Sequence, residues 1–150
     1  MRLRPAPEHQ SASILLVDDN PHGLIARKTL LEELGYIIHT GMSGEEALEL
    51  LSRQRVDLII TDFRMPNMDG AELIRRVRQA HTDMPIILLS GFVEPMGLSE
   101  ASTGADVVLA KSAGEVGSLI RSVRRLLSRP PRKPASSEQR LHPKKARNAR

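Results

Sequence analysis

The sequence predicts an α/β protein with a five-stranded parallel sheet that is covered by helices on both faces. Five short apolar segments alternate regularly with longer amphipathic segments, which is the pattern of repeated strand–helix units. The first, third and fourth apolar segments are almost entirely aliphatic, as expected for strands that are buried on both faces. With 150 residues, 40% of them hydrophobic, the chain is long enough to form one domain with a full core.

The elements follow from this alternation in chain order. The predicted strands are the apolar segments SILLV (13–17), YIIHT (36–40), VDLIIT (56–61), PIILLS (85–90) and ADVVLA (105–110). The predicted helices are the amphipathic segments 21–34, 43–54, 68–79, 94–102 and 113–128. The fourth helix is the weakest of these, because Gly97 lies inside it and its apolar periodicity is poor.

Residues that favour helix ends support these boundaries. Pro21 suits the first turn of helix 1, and Gly35 suits the position after its last turn. Ser43 and Glu46 have the spacing of a capping box at the start of helix 2. Asp69 is a candidate N-cap for helix 3, whose later RRVR run (75–78) is predicted to face solvent.

The net charge of +4 is distributed unevenly along the chain. Residues 129–150 contain eight Lys or Arg and one Glu, whereas residues 13–128 carry a net charge of −4. The C-terminal segment is also rich in Pro and Ser, which predicts a disordered basic tail, and residues 1–12 predict a flexible N-terminal segment. A solubilising tail or linker is favoured over a nucleic-acid-binding tail, because the segment lacks aromatic side chains and any structured reader.

The composition excludes several classes of protein. The chain has no Cys, which excludes disulfides and thiolate metal sites. No apolar segment approaches the roughly 20 residues that span a bilayer, and the N-terminal segment lacks the apolar stretch of a signal peptide. The sequence therefore predicts a cytoplasmic protein with no membrane partner.

Polar side chains gather at the ends of the predicted strands, where open α/β sheets bind their ligands. They are Asp18 and Asp19 after strand 1, Asp62 after strand 3, Ser90 at the end of strand 4 and Lys111 after strand 5. Three converging carboxylates repel one another and are typical of a site for a hard divalent cation such as Mg²⁺. A lysine and a hydroxyl beside them can hold phosphoryl oxygens, and one carboxylate can be a nucleophile that forms an aspartyl phosphate.

Each of these residues also has a simpler interpretation when it is taken alone. Asp18 and Asp19 suit a helix-capping turn, Lys111 suits a surface lysine, and Ser90 suits a structural hydroxyl. Other phosphate chemistries fit less well: the AKS sequence at Lys111 lacks both glycines of a P-loop, and the chain has no G-x-G-x-x-G motif.

Four segments, in this order and spacing, resemble the receiver domain of bacterial two-component response regulators, the CheY-like superfamily. They are ILLVDDN (14–20), VDLIITDFRMPNMDG (56–70), PIILLSG (85–91) and GADVVLAKS (104–112). The resemblance covers residues 13–128 and implies a flavodoxin-like, doubly wound (βα)5 fold with strand order 2-1-3-4-5. It also implies a phosphorelay signalling module that a histidine kinase or phosphotransfer protein phosphorylates on Asp62.

The resemblance implies how the acidic residues bind the metal. Asp19 and Asp62 would bind Mg²⁺ through side-chain oxygens, and the backbone carbonyl of Arg64 would be a third ligand. Asp18 would act mainly through a metal-bound water.

The resemblance also implies how phosphorylation is sensed. Lys111 would pair with Asp62 before phosphorylation and with a phosphoryl oxygen afterwards, while the hydroxyl of Ser90 would move toward the phosphoryl group. The change would then reach a downstream protein through the face formed by helix 4, strand 5 and helix 5.

The sequence departs from the family pattern at two positions near Lys111. Val108 stands where the family usually has Tyr or Phe, and Ser112 stands where it usually has Pro. These departures motivate an alternative, a pseudo-receiver that acts as a phosphorylation-independent binding or dimerisation module. The intact acidic residues, Ser90 and Lys111 favour the phosphoacceptor instead.

Expectations about the whole protein follow from the same resemblance. The module would catalyse only its own phosphorylation and dephosphorylation, and would be a monomer or a phosphorylation-dependent dimer. It would be either a stand-alone regulator, which the initial Met and the tail favour, or the receiver of a larger hybrid kinase.

Overall fold

The computed structural model describes residues 11–91, 97–112 and 114–129. The strands are β1 (Ser13–Val17), β2 (Ile37–Gly41), β3 (Leu58–Asp62), β4 (Ile86–Ser90) and β5 (Val107–Ala110). The helices of the described residues are α1 (Pro21–Glu33), α2 (Gly44–Arg53), α3 (Gly70–Ala80), α4 (Glu100–Thr103) and α5 (Glu115–Leu127). Strands and helices therefore alternate as the sequence predicts.

All five strands are parallel, and their order across the sheet is β2-β1-β3-β4-β5. This confirms the predicted fold class and strand order. The last residues of the inner strands lie side by side in the pairs Val17 and Thr61, Asp62 and Leu89, and Ser90 and Ala110. The loops that follow these strands consequently leave the sheet at one common edge, its carboxyl edge.

A hydrophobic core covers each face of the sheet. On one face, α2 and α3 contribute Ala47, Leu73 and Val77 to a cluster of buried side chains. On the other face, α1 and α5 contribute Leu31 and Leu119 to a second cluster. Because full burial of an aliphatic side chain stabilises the fold by about 1.5–3 kcal/mol, these clusters hold the helices on both sides of the sheet.

The ends of α1 lie where the sequence predicts them. Asn20 is the N-cap, and its side-chain oxygen accepts a hydrogen bond of 2.9 Å from the backbone N–H of His22. Pro21 is the first helical residue. Gly35 has a φ of 100°, a left-handed conformation that favours glycine after a helix end.

The predicted caps of α2 and α3 are present, with one difference. The Ser43 hydroxyl accepts a hydrogen bond of 3.1 Å from the N–H of Glu46, and the Asp69 carboxylate caps α3. The carboxylate of Glu46, however, accepts its hydrogen bond from the N–H of Met42, at 2.7 Å, rather than from Ser43. The capping box is therefore only half formed as predicted.

The described helix α4 is a single turn, shorter than the predicted helix 94–102. It begins after Ser99, which exchanges hydrogen bonds with Ser102, and it ends before Gly104. The placement of Gly97 inside a helix is wrong, because Gly97 lies in a turn before α4. Part of the predicted helix lies outside the described residues.

Arg78 differs most from its sequence-based prediction. Its guanidinium donates hydrogen bonds to the carbonyl oxygens of Met84 at 2.6 Å and Gly104 at 3.0 Å, and it pairs with Asp106 at 3.1 Å. Arg78 therefore ties the C-terminal end of α3 to the loops that enter β4 and β5. The other arginines of the RRVR run stay exposed, as predicted.

The predicted terminal segments lie almost wholly outside the described residues. Residues 1–10 and 130–150 are not described, so the flexible N-terminal segment and the basic tail stay predictions. Among the residues that are described, no helix has both the length and the apolar character that a membrane span requires.

The start of α3 leaves no room for a side chain at Gly70. An added Cβ would lie 2.5 Å from the carbonyl oxygen of Asp62 and 2.9 Å from the Cα of Phe63, and backbone atoms cannot rotate away. We expect Gly70→Ala to lower the free energy of unfolding by about 1–3 kcal/mol in urea denaturation. Gly91→Ala is the matched control, because its methyl group would meet no atom of the described residues within 4 Å. An equal loss in both variants would contradict this steric explanation.

Candidate functional site

A cleft of about 620 Å³ opens at the carboxyl edge of the sheet. Its lining includes all the residues that the sequence analysis singled out for the site: Asp18, Asp19, Asp62, Arg64, Ser90 and Lys111. They come from the ends of β1, β3, β4 and β5, which the parallel sheet brings to the same edge. The fold therefore assembles the candidate site from four separate parts of the chain.

Three carboxylates lie together in this cleft. Asp18, Asp19 and Asp62 each offer one oxygen, and these oxygens lie within 4.8 Å of one another. Asp18 and Asp62 are buried and Asp19 is exposed. Three negative charges this close need positive charge nearby, and oxygen donors in this arrangement suit a hard divalent cation. The donor set therefore fits the metal that the sequence predicts.

Lys111 supplies one of the compensating positive charges. Its Nζ lies 2.8 Å from Oδ1 of Asp62, which is the contact that the resemblance implies. Its backbone N–H donates a hydrogen bond of 3.0 Å to the carbonyl oxygen of Ser90. Lys111 is thus fixed at the end of β5 against the end of β4, with its ammonium group directed at Asp62.

Burial governs the ionisation of Asp62, whose residue surface is only 7% exposed. Loss of solvent raises the pKa of the Asp62 carboxyl above its usual range. The hydrogen bond and the positive charge of Lys111 oppose this rise, whereas the negative charge of Asp18 adds to it. Burial therefore disfavours the ionised form of Asp62 until a further positive charge lies beside it.

Ser90 lies in β4 and Val108 lies in β5, the two strands that follow β3 across the sheet. Ser90 is buried at the end of β4, between the strands that carry Asp62 and Lys111. Val108 is half-buried in β5, and its N–H donates a hydrogen bond of 3.0 Å to the carboxylate of Glu100 in α4. This bond connects β5 to α4 where the family usually has an aromatic residue.

Sequence reasoning missed one residue next to the cleft, Arg27 of α1. Its NH1 lies 3.1 Å from Oδ2 of Asp18, and its NH2 lies 2.7 Å from the carboxylate of Glu115. No pattern in the sequence distinguishes Arg27 from the neighbouring Lys28, which pairs with Glu32 on the exposed side of the same helix. The partner Glu115 is 88 residues away along the chain, so only the fold reveals this contact.

The raised pKa of Asp62 predicts a pH-dependent effect on stability. A carboxyl whose pKa is higher in the folded than in the unfolded state favours folding when protonated, and this contribution is lost as the pH rises through the folded-state pKa. In metal-free buffer with EDTA, we expect Asp62→Asn to raise the melting temperature by a few degrees at neutral pH, because the amide carries no charge. The difference in melting temperature between Asp62→Asn and wild type should become smaller as the pH falls into the range where Asp62 is protonated.

Thermal denaturation followed by circular dichroism over a pH series measures this effect. Asp69→Asn is the matched control, because asparagine also caps a helix and Asp69 does not line the cleft. A lower melting temperature for Asp62→Asn at neutral pH would show that burial of the charge is not the dominant effect.

Comparisons with known proteins agree with this geometry. The family described as the response regulator receiver domain matches residues 14–124. The transcriptional regulatory protein GlrR of Escherichia coli K12 is 42% identical over 82 residues, which are 55% of this chain and 18% of GlrR. The gliding motility regulatory protein of Myxococcus xanthus is 36% identical over 115 residues, which are 75% of this chain and 14% of that protein. The chain thus spans less than a fifth of either curated relative.

Solved structures match over nearly their whole length. The signal receiver domain of a histidine kinase from Syntrophus aciditrophicus is 37% identical, with a TM-score of 0.72, and the match covers 79% of this chain and 91% of that domain. The response regulator TrrA of Thermotoga maritima, solved in complex with Mg²⁺-BeF, is 34% identical with a TM-score of 0.70, over 77% of this chain and 99% of TrrA. On its fold and its sequence, the chain belongs to the response regulator receiver domain family.

Proposed function

We propose that this chain is the phosphoacceptor module of a two-component phosphorelay, phosphorylated on Asp62 by a histidine kinase or a phosphotransfer protein. One observation carries the proposal: the buried Asp62 carboxylate pairs with Lys111 at 2.8 Å beside the carboxylates of Asp18 and Asp19, in the cleft at the carboxyl edge of the sheet. The similar proteins support it, because they include a transcriptional regulatory protein and the signal receiver domain of a histidine kinase.

The acidic residues of the cleft would hold Mg²⁺. Asp19 and Asp62 would provide side-chain oxygens, the backbone carbonyl of Arg64 would provide another, and Asp18 would act through a water. Bound there, the cation would neutralise charge on the incoming phosphoryl group and orient it. The likeness to TrrA, which was solved with Mg²⁺-BeF, supports this assignment.

Asp62 is the nucleophile in the proposed transfer. One of its carboxylate oxygens attacks the phosphorus of a phosphohistidine, so that an O–P bond forms while the P–N bond breaks. The electron pair of the broken bond leaves with the imidazole nitrogen. Lys111 favours this step because its charge limits the rise in the pKa of Asp62 and so favours the ionised, nucleophilic form.

Phosphorylation changes the charge at one point of the cleft, and the surrounding residues respond. The phosphoryl group adds a charge of about −1.5 to −2 and new acceptor oxygens. Lys111 then pairs with a phosphoryl oxygen rather than with Oδ1 of Asp62, and the hydroxyl of Ser90 donates to a second one. Since Lys111 follows β5 and Ser90 ends β4, the change biases the face formed by α4, β5 and α5 between two arrangements.

We further propose that the module works in the cytoplasm, catalyses only its own phosphorylation and dephosphorylation, and acts as a monomer or a phosphorylation-dependent dimer. The downstream protein would bind the face formed by α4, β5 and α5. Val108 and Ser112 motivate the alternative of a phosphorylation-independent binding module, but the cleft contains the full set of predicted site residues, which favours the phosphoacceptor.

Acetyl phosphate provides the direct test, because it can phosphorylate Asp62 without a kinase. On a phosphate-affinity gel, we expect the wild-type chain to give a retarded band that requires Mg²⁺ and disappears in EDTA. Asp62→Asn should give no such band, because its amide is not a nucleophile, whereas Asp69→Asn should behave as wild type.

Two results would contradict the proposal. A retarded band in Asp62→Asn would place the phosphoryl group on another residue. If the wild-type chain gives no band with Mg²⁺ while a known receiver domain does so in parallel, the cleft is not a phosphoacceptor site.

A further inference from the structure

We propose that Arg27 is a positioning residue that competes with a divalent cation for Asp18 and thereby sets the affinity of the cleft for Mg²⁺. The inference rests on the proposed function and assigns a role to a residue outside the set implied by the resemblance. It also connects the metal site to the first turn of α5 through Glu115.

The contacts of Arg27 form a shielded bridge between two carboxylates. Its NH1 is 3.1 Å from Oδ2 of Asp18, and its Nε and NH2 are 2.9 Å and 2.7 Å from Oε2 of Glu115. The side chains of Arg27, Asp18 and Glu115 are only 15%, 6% and 14% exposed. Solvent therefore screens this bridge much less than an ordinary surface ion pair.

The helix α1 has space for this bridge because it has no side chain at Gly23. A Cβ at Gly23 would lie 3.1 Å from NH1 of Arg27 and 3.1 Å from Oδ2 of Asp18. The other oxygen of Asp18, Oδ1, accepts a hydrogen bond of 2.9 Å from the N–H of Asn20. Protein donors thus hold both oxygens of Asp18 and fix the direction of its carboxylate.

A guanidinium in this position opposes a bound cation in two ways. First, it places a positive charge 3.1 Å from one of the three carboxylates that would surround the cation, and like charges repel. Second, it keeps Oδ2 of Asp18 in an ion pair and so competes for that oxygen with the water through which Asp18 would hold the metal. Arg27 therefore makes the acidic cleft a weaker cation site than its three carboxylates alone would be.

The competition acts in both directions, because coupling between two binding events is reciprocal. A bound cation that attracts the carboxylate of Asp18 weakens the ion pair between Asp18 and Arg27. Arg27 then relies on Glu115, its partner in the first turn of α5. The side chain of Arg27 thus couples metal binding in the cleft to the first turn of α5, by a route that does not involve Ser90 or Lys111.

Isothermal titration calorimetry of the full chain with MgCl₂ tests this role. We expect Arg27→Gln to bind Mg²⁺ about tenfold more tightly than wild type, because a positive charge beside the site is removed. Arg27→Lys should keep an affinity near that of wild type, since it retains the charge. Lys28→Gln is the matched control: it removes the same charge one residue away, from an exposed pair with Glu32, and should leave the affinity unchanged.

A second variant, Glu115→Gln, should change the affinity for Mg²⁺ in the opposite direction. Glu115→Gln leaves Arg27 with Asp18 as its remaining charged partner, so Mg²⁺ binding should become weaker than in wild type. A merely structural role for the bridge would lower the affinity in both Arg27→Gln and Glu115→Gln, because a loosened site binds less well. Tighter Mg²⁺ binding by Arg27→Gln together with weaker binding by Glu115→Gln would therefore identify competition between Arg27 and the cation for Asp18.

The outcomes separate this inference from the proposed function. If wild type binds Mg²⁺ and Arg27→Gln binds it equally or less tightly, the role of Arg27 is wrong and the phosphoacceptor proposal is untouched. If wild type binds no Mg²⁺ at all, the proposed metal site is wrong, and the role of Arg27 is wrong with it.

Discussion

The contact between Asp62 and Lys111 is the interaction on which the candidate site depends. Asp62 is the last residue of β3, Lys111 comes directly after β5, and β4 lies between these two strands. Their 2.8 Å contact therefore requires the three strands to end at the same level. The parallel register provides this, with Asp62 beside Leu89 and Ser90 beside Ala110. A shift of register in any of the three strands would separate the ammonium group from the carboxylate and leave a buried negative charge uncompensated. The hydrophobic core on each face therefore serves the site by fixing where the strands end.

The sequence was sufficient to predict the elements whose signals are local. Aliphatic runs identify the strands, residues such as Pro21 and Asp69 identify helix starts, and the polar residues at the strand ends identify the site. The order of the strands came from the resemblance rather than from these patterns. Contacts between distant residues could not be predicted: Arg27 meets Glu115 across 88 residues, and Arg78 meets Asp106 across 28. An arginine on a helix gives no local sign of which carboxylate or carbonyl the fold will bring to it.

Two cationic side chains pair with the buried carboxylates of the acidic cleft, one from each side. Lys111 approaches Asp62 from β5, and Arg27 approaches Asp18 from α1. Each cation holds one buried carboxylate, which leaves the exposed Asp19 as the carboxylate most accessible to a metal or a substrate. The protein thus lowers the cost of gathering three negative charges without filling the cleft. This balance explains how the acidic site can form in the folded chain before any ligand arrives.

The contacts of Arg78 have a mechanical consequence for the whole domain. Arg78 anchors the loops that enter β4 and β5 to the end of α3, and Asp106 also accepts a hydrogen bond of 2.8 Å from the N–H of Ile86. These bonds clamp the amino ends of both strands, at the edge of the sheet opposite the cleft. Ser90 and Lys111 lie at the other ends of the same strands. Because these bonds hold the amino ends of β4 and β5, we expect a change in the cleft to displace the carboxyl ends of these strands more than their amino ends.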